Sequence, residues 1–435
     1  MLVMFVEWGY KASRHEDGKL MKPCIYLTVI IGMLAGLQQI AAQTWTQSIV
    51  ASTNWWGVSS SADGSVLFAT VGNTNIFAIY ISTNSGVTWV PTTPPMTNSR
   101  FVVAVSADGN TVFAARSLPA SNPWNTTNSD PFFLSTNSGA TWSSLMGSIT
   151  NRSGSVAISA DGRTLIGGMQ PGWIYISTNS GAAWTSNQLG NGAFSIMTVF
   201  SSADGGRLSA MFGIYSPCTF WTTTNSGVTW VQYSLPGLGY NWDGFASSAD
   251  GNKWIAVGYY NNGPTPAICI STNAGVSWNA RTVSLSGEHS FGSVASSADG
   301  TKLAVSGKGI YSSTNSGATW MQTAAPNTNW NYITSSSDGG KLAATVDVSF
   351  AIPTASGGIW TSQTTQSPQL NITPTNDSFK LSWLIPSTNF VMRQSSDLQI
   401  WADVTNQPVL NPATLHDEVI LSPPGSSVFY QLKTP

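Results

Sequence analysis

Residues 313–320 read STNSGATW, and the pattern returns as STNSGVTW at 82–89, STNSGATW at 135–142, STNSGAAW at 177–184, TTNSGVTW at 223–230 and STNAGVSW at 271–278. A second motif alternates with it: Ser-Ala-Asp-Gly around Asp63, Asp108, Asp161, Asp204, Asp250 and Asp299, and Ser-Ser-Asp-Gly around Asp338. Successive aspartates lie 39 to 53 residues apart, which is the period of a propeller blade rather than of a helical solenoid. One repeat reads as an inner strand, the Asp-Gly turn, a strand such as KLAAT, a strand such as GIYSS, the Asn-Ser-Gly turn and a strand opening on Thr-Trp. Gly after Asp, and Asn close to Gly, suit hairpin turns that need positive φ.

The seventh repeat is incomplete. After Asp338, the residues Gly358, Ile359 and Trp360 align with Gly309, Ile310 and Tyr311 of the preceding third strand, and no Thr-Trp strand follows. Gln43, Thr44, Trp45 and Thr46 form a Thr-Trp strand with no repeat before it. This N-terminal strand is therefore expected to supply the outer strand of the last blade and close the ring, leaving only short, protected edges. The fold expected is all-β: a seven-bladed β-propeller over residues 43–364, followed by a small β-sandwich over 365–435. In that second segment LNITPTNDSFKLSW, NFVMRQSSDLQIWADV and EVILSPPGSSVFYQLK alternate apolar and polar residues or pair about turns.

S-T-N-S-G-x-T-W resembles the Asp-box, or BNR, repeat, whose pattern is S-x-D-x-G-x-T-W at the turn between the third and fourth strands of a blade. The resemblance covers the whole propeller. Such propellers include sialidases, sortilin-type receptors, xyloglucan-degrading enzymes and photosystem II assembly factors, so the fold does not choose the function. Here Asn stands where the family has Asp, at Asn84, Asn137, Asn179, Asn225, Asn273 and Asn315, with the closing tryptophans at Trp89, Trp142, Trp184, Trp230, Trp278 and Trp320. An Asn amide still accepts backbone N–H bonds and tolerates left-handed geometry, so the turn is expected to survive without the charge. The C-terminal segment resembles β-modules on secreted proteins of environmental bacteria, which implies a spacer or a surface tether.

Composition narrows the partners. Only 8% of the 435 residues are charged and the net charge is −2, which leaves no electrostatic footprint for nucleic acid or an anionic membrane. A Ser/Thr/Asn-rich exterior suits neutral ligands. From Met21 the chain reads MKPCIYLTVIIGMLAGLQQIAAQTW, with a basic Lys22, an apolar run from Ile25 to Leu37 and small residues at Ala41 and Ala42. This is the pattern of a secretory signal with cleavage after Ala42, shorter than a membrane span. Residues 1–42 are accordingly expected to be an N-terminal extension and leader outside the fold, and the mature chain a monomer that is secreted or extracytoplasmic, in the periplasm or at the cell surface. Cys218 and Cys269 remain after the leader; they make no disulfide framework and no metal spacing, and no cofactor is implied.

Eleven acidic residues fall within the propeller. The seven motif aspartates repeat at one turn and read as structural, which leaves Asp130, Asp243, Glu288 and Asp347, all expected on the face of variable loops, where binding residues concentrate. Only Asp243 with Glu288 has the placement for a pair of glycosidase carboxylates. His289 beside them is the propeller's single histidine, a solvated loop residue or a general base. Eight residues before each motif aspartate stand Trp55, Arg100, Ser153, Ile196, Trp242, Phe291 and Trp330; the aromatics are either packing between blades or a platform for sugar rings at the channel mouth. The propeller arginines (Arg100, Arg116, Arg152, Arg163, Arg207 and Arg281) carry no positional argument for a sialidase triad, and the F/Y-R-I-P motif is absent. The expectation is a non-enzymatic propeller that binds a glycan or protein through Trp55, Arg100, Trp242, Phe291, Trp330, His289, Asp130 and Asp347. A glycoside hydrolase using Asp243 and Glu288 and a scaffold without a small ligand are the alternatives.

Overall fold

The computed structural model describes residues 3–11, 24–32, 44–50, 54–72, 77–92, 100–117, 132–146, 152–189, 196–213, 218–235, 240–260, 265–282, 290–346, 357–364, 370–375, 378–385, 391–397, 399–411, 414–422 and 428–433. Among them every regular element is a strand, and no helix is long and apolar enough to cross a membrane. The chain divides into a unit over Ala42–Thr364 with Pro412–Leu415, and a second that gathers Met1–Ala41, Thr365–Asn411 and His416–Pro435.

The larger unit is a β-propeller. Among the described residues it holds seven four-stranded antiparallel sheets, six of them built from consecutive strands. The first comprises Trp55–Ser60, Leu67–Gly72, Phe77–Ser82 and Val90–Pro91. The last combines Trp330–Ser335, Lys341–Val346 and Ile359–Gln363 with Thr44–Gln47, which pairs Trp45 with Ser362 and Gln47 with Trp360. The outer strand of the last sheet thus comes from the other end of the chain, where the Thr-Trp pattern places it.

A cycle of main-chain hydrogen bonds ties the sheets together. The residue before each motif aspartate donates its N–H to the carbonyl of its counterpart in the next sheet: Ala62 to Ala107 (2.9 Å), Ala107 to Ala160, Ala160 to Ala203, Ala203 to Ala249, Ala249 to Ala298, Ala298 to Ser337, and Ser337 back to Ala62 (2.7 Å). Only Ala and Ser occupy this column, and a small side chain is what so close an approach of backbones allows. The cycle rings a cavity of about 210 Å³ lined by Ser60, Ser201, Ser247, Ser296 and Ser335.

Each motif aspartate completes a turn beside the ring. Asp299 Oδ1 accepts the Ser297 hydroxyl at 2.6 Å and the Thr301 N–H at 3.0 Å, while Ser297 Oγ accepts the Lys302 N–H. The glycine that follows has positive φ, +77° at Gly109, and a Cβ there would lie 2.7 Å from Val66 of the preceding sheet. The same pattern runs round to Gly64, which Lys341 of the last sheet covers. Each turn is therefore seated on its neighbour.

In the second turn Asn84 Oδ1 accepts the Ser82 hydroxyl and the Thr88 N–H, both at 2.9 Å, and Asn84 Nδ2 donates to Thr88 Oγ1 at 2.8 Å. The Trp89 indole N–H closes on the Gly86 carbonyl at 3.1 Å. The Asn84 amide thus serves as acceptor without a charge and adds a donor that Thr88 receives. Left-handed geometry does not fall on the asparagine, as expected from sequence, but on its successor: Ser85, Ser138, Ser180, Ser226, Ala274 and Ser316 have φ of 53° to 58°. Asn must keep a conformation that lets its side chain reach forward four residues, so the reversal passes to the next residue and to Gly.

Sheets bury both faces against their neighbours, and the largest wholly buried side chains include Trp55, Trp242, Phe68, Phe101, Phe113, Phe132, Phe220 and Phe291. Phe132 stacks on Trp184 at 5.7 Å and 13°, and Trp254 meets Phe200 and Phe220 edge-on. Cys218 and Cys269 are free thiols in one such core, where burial pushes both up to about 12.

In the second unit Asn371–Pro374, Phe379–Leu384, His416–Leu421 and Val409–Asn411 form one sheet, and Val391–Ser395, Ala402–Asp403 and Val428–Lys433 belong to another. Phe379, Leu381, Trp383, Val419, Met392 and Tyr430 form their shared core. The second sheet continues into Val3–Lys11 and Cys24–Gly32, an antiparallel pair joined to Val428–Lys433 through Val3–Lys11. The apolar run read as a leader is thus drawn, over Cys24–Gly32, as a strand, since a β-branched apolar segment fits an open sheet edge as readily as it fits an export signal. The rest of that run and the expected cleavage position after Ala42 lie outside the described residues.

Two predictions follow from the turn geometry. Gly109→Ala adds left-handed strain and a clash with Val66, and should cost about 2–3 kcal/mol in urea unfolding; Val66→Ala in the same chain should recover the clash portion only. Burial alone would raise the carboxyls of Asp63 and Asp299, but their serine and backbone hydrogen bonds and a nearby lysine outweigh it and hold both below the ordinary value. Their contribution is full above the unfolded value of about 4 and lost as pH falls through the lower folded value. Acid titration followed by circular dichroism should show stability falling below about pH 4, and less steeply in Asp299→Asn.

Candidate functional site

The two turns of a sheet share one end of it, joined by main-chain bonds such as Ser85 N–H to the Ser65 carbonyl and Ser316 N–H to the Thr301 carbonyl. At the opposite end of the inner strands the regular ladder breaks. Registers slip between Trp55 and Gly57, Ser153 and Ser155, Ile196 and Thr198, Trp242 and Gly244, and Trp330 and Ile333. A bulge ejects one residue from pairing and re-aims its side chain. The ejected positions include Trp56, Gly154, Asp243 and Asn331, one residue beyond the aromatic column that the sequence picks out.

The aromatic column itself is packing. Trp55, Trp242, Phe291 and Trp330 are 0–4% exposed, and each belongs to a core cluster between sheets. No ring face is left for a sugar. Arg100 does not belong to this column. The second sheet has no bulge, so Phe101, opposite Arg116, occupies the register that Trp55 holds opposite Val71, and Arg100 falls one step further out.

Among the described residues the exposed aromatics at this end are Trp56 and Tyr332, at 37% and 36%. The Arg100 guanidinium lies over the Trp56 ring, 4.7 Å from its centroid, an attraction of cation and π-face. On the other side Asn331 Nδ2 donates to the Trp55 carbonyl at 3.3 Å. A Cβ on Gly292 would be 3.7 Å from the Asn331 carbonyl, and one on Gly244 would be 3.2 Å from the Gly292 carbonyl. Asp243, Gly292, Asn331, Trp56 and Arg100 therefore follow one another along an arc across five sheets.

Asp243 is the propeller's described acid that no turn engages. It is solvent-accessible at the neck of the inner strands, yet the protein around it displaces enough water to push its carboxyl up to about 6. Such a group changes charge near neutral pH and serves as a hydrogen-bond donor or acceptor on either side of it. Asp130, Glu288, His289 and Asp347 lie outside the described residues. The pairing of Asp243 with Glu288 therefore has no distance here. Among the described residues no three His, Cys, Asp or Glu side chains gather as for a metal ion.

Sequence reasoning reached Asp243 and Arg100 but passed over Trp56, Asn331 and Tyr332. The available signal was Trp-Trp at 55–56 and Trp-Asn-Tyr at 330–332, where two large side chains in succession cannot both face the same core.

No protein-family model and no curated protein matches the chain. Among solved structures it is similar to YCF48 from Cyanidioschyzon merolae, with 16% identity over 74% of this chain and 99% of that one, TM-score 0.54. It is also similar to YCF48 bound to D1 peptide (16%, 75% and 97%, TM-score 0.52) and to the WD40 repeats of RRP9 (12%, 75% and 99%, TM-score 0.56). These likenesses establish the β-propeller fold.

One consequence of the site is measurable without a ligand. The folded state keeps the Asp243 proton to higher pH than the unfolded chain does, so stability declines as pH rises from about 4 through 6. Asp243→Asn should remove that part of the decline in urea unfolding between about pH 4.5 and 7.5.

Proposed function

We propose that the protein is a secreted bacterial, seven-bladed propeller of the Asp-box type with a C-terminal β-sandwich as spacer or tether. It acts as a monomer, without cofactor, and binds a glycan or protein ligand at the bulged end of its inner strands. The observation that carries this reading is the arc of Trp56, Arg100, Asn331 and Asp243. Elsewhere among the propeller's described residues the aromatics are buried or half-buried and the acids are turn ligands, whereas here an exposed indole, a guanidinium, an amide and a titratable carboxyl follow one another along the arc. A part-exposed indole with flanking polar groups suits a sugar ring or a peptide side chain. The seven-sheet hydrogen-bond cycle supports the blade number, and the Trp45–Ser362 pairing supports closure by the N-terminal strand. The leader pattern supports export. That YCF48 is found bound to D1 peptide favours a polypeptide as one ligand class for a propeller of this shape.

A hydrolase is the second reading, favoured by Asp243 alone, since a carboxyl raised to about 6 suits a general acid. Incubation of the chain with neutral and sialylated polysaccharides, following depletion of protein and release of reducing sugar together, separates the two. Binding without release is expected, and Trp56→Ala should weaken it about tenfold, in line with loss of one stacking contact of roughly 1–1.5 kcal/mol. Sugar release abolished by Asp243→Asn would move the protein to the hydrolases. Binding unchanged in Trp56→Ala would remove the arc from the reading.

A further inference from the structure

In six sheets the first residue of the second strand pairs with the serine or threonine that opens the Asn-Ser-Gly turn: Leu67 with Ser82, Val112 with Ser135, Leu165 with Ser177, Leu208 with Thr223, Trp254 with Ser271 and Leu303 with Ser313. In the last sheet Leu342 pairs in the same way with Ser362. Ser362 is therefore the seventh copy of that hydroxyl.

The six others are fully engaged in one way. Ser313 Oγ donates to Asn315 Oδ1 at 2.9 Å and accepts the Gly317 N–H at 2.9 Å, and Ser82 does the same with Asn84 and Gly86. Ser362 has neither partner. Beyond it the strand runs on, with the Thr364 N–H bonded to the Gly340 carbonyl at 2.7 Å. Ser362 is 3% exposed and its Oγ is buried without a hydrogen bond, so its desolvation is left uncompensated.

Ser362 is among the residues that line a cleft of about 420 Å³ at the seam where the ring closes, its hydroxyl lying just beneath the surface. The opposite wall is the first Asn-Ser-Gly turn, Asn84–Val87, and Ile49 and Val87 at 93% and 63% exposure supply apolar surface. Lys341 is the cleft's cation; its ammonium donates to the Asp63 carbonyl and Ser85 Oγ, and the carboxylates of Asp63 and Asp338 offset its charge. A free anion therefore has little to gain, and a neutral ligand rich in amides fits.

We infer that this seam is a peptide-binding site, distinct from the bulged end, and that it takes a segment able to form an Asx turn of the kind the other six sheets carry: a side-chain carbonyl to accept the Ser362 hydroxyl and a main-chain N–H two residues later to donate to it. The chain itself is the template, since six sheets display the complement that the seventh lacks.

The test uses the full chain and an acetylated, amidated peptide of sequence STNSGATW, with the scrambled TGSWANTS as control. Saturable binding by the first and none by the second is expected in calorimetry. Ser362→Ala should weaken it at least tenfold while leaving the melting temperature unchanged or higher, because the removed hydroxyl has no partner to lose. Carrying a photoreactive residue in place of its alanine, the peptide should label the segments around 44–49, 84–87 and 361–363. Equal binding of both peptides, undiminished binding in Ser362→Ala, or labelling elsewhere would overturn the inference. Trp56→Ala should leave STNSGATW binding intact, so failure at the bulged end and failure at the seam are separate results.

Discussion

The closed cycle of main-chain hydrogen bonds through Ala62, Ala107, Ala160, Ala203, Ala249, Ala298 and Ser337 is the constraint on which the rest of this propeller depends. Sheets in such a fold otherwise meet mainly through side chains, which tolerate sliding, whereas an N–H to carbonyl bond of 2.7–2.9 Å sets each sheet's height and rotation against the next. The column must be small for backbones to approach, and the turn that follows must reverse at once. Aspartate and serine then take up the backbone groups that the reversal leaves over, and the glycine after them accommodates the side chain of the preceding sheet. One requirement, repeated around a circle, thus accounts for four consecutive residues of the motif.

The scarcity of charge has the same origin. A sheet buried on both faces has no solvent side on which to place charged residues, so polarity is confined to turns and channel, where Ser, Thr and Asn satisfy backbone groups at lower desolvation cost than ions. Motif aspartates survive because each receives a serine hydroxyl and a backbone N–H within 3.0 Å, as Asp108 does from Ser106 and Asn110. Asp243 has no such support. Its raised carboxyl is what an acid becomes when the fold withholds water without supplying donors, and that separates it from the structural acids more firmly than its position in the chain does.

The two ends of the sheets divide the labour. The turn end is repetitive because it holds the ring, and the seam at Ser362 departs from the repeat where the strand Thr44–Gln47 pairs with Ile359–Gln363 in place of a continuous hairpin. The bulged end is free of that duty. Register slips there cost ladder bonds but put Trp56, Asn331 and Asp243 outside the ladder, and the irregular backbone is tolerated because the ring at the far end already sets the geometry of each sheet.

The sequence by itself determined the repeat, its strands and turns, and the borrowed outer strand around Trp45, because these rest on local rules: turn chemistry, alternation and period. It also separated the seven motif aspartates from Asp243 by repetition alone. Tertiary structure decided which side chains the inner strands expose. A column counted back from the aspartate put Trp55, Trp242 and Trp330 at the channel mouth and set Arg100 among them; bulges in some sheets and not in the second shift the count by one, so those aromatics turn into the core, Phe101 takes the place of Arg100, and Trp56 and Asn331 emerge instead. A bulge is a property of two paired strands, and a single strand carries no more of it than two large side chains in succession, as at Trp55 and Trp56. The hydroxyl of Ser362 without its turn was decided at the same level, since its strand gains its outer neighbour only when the ring closes.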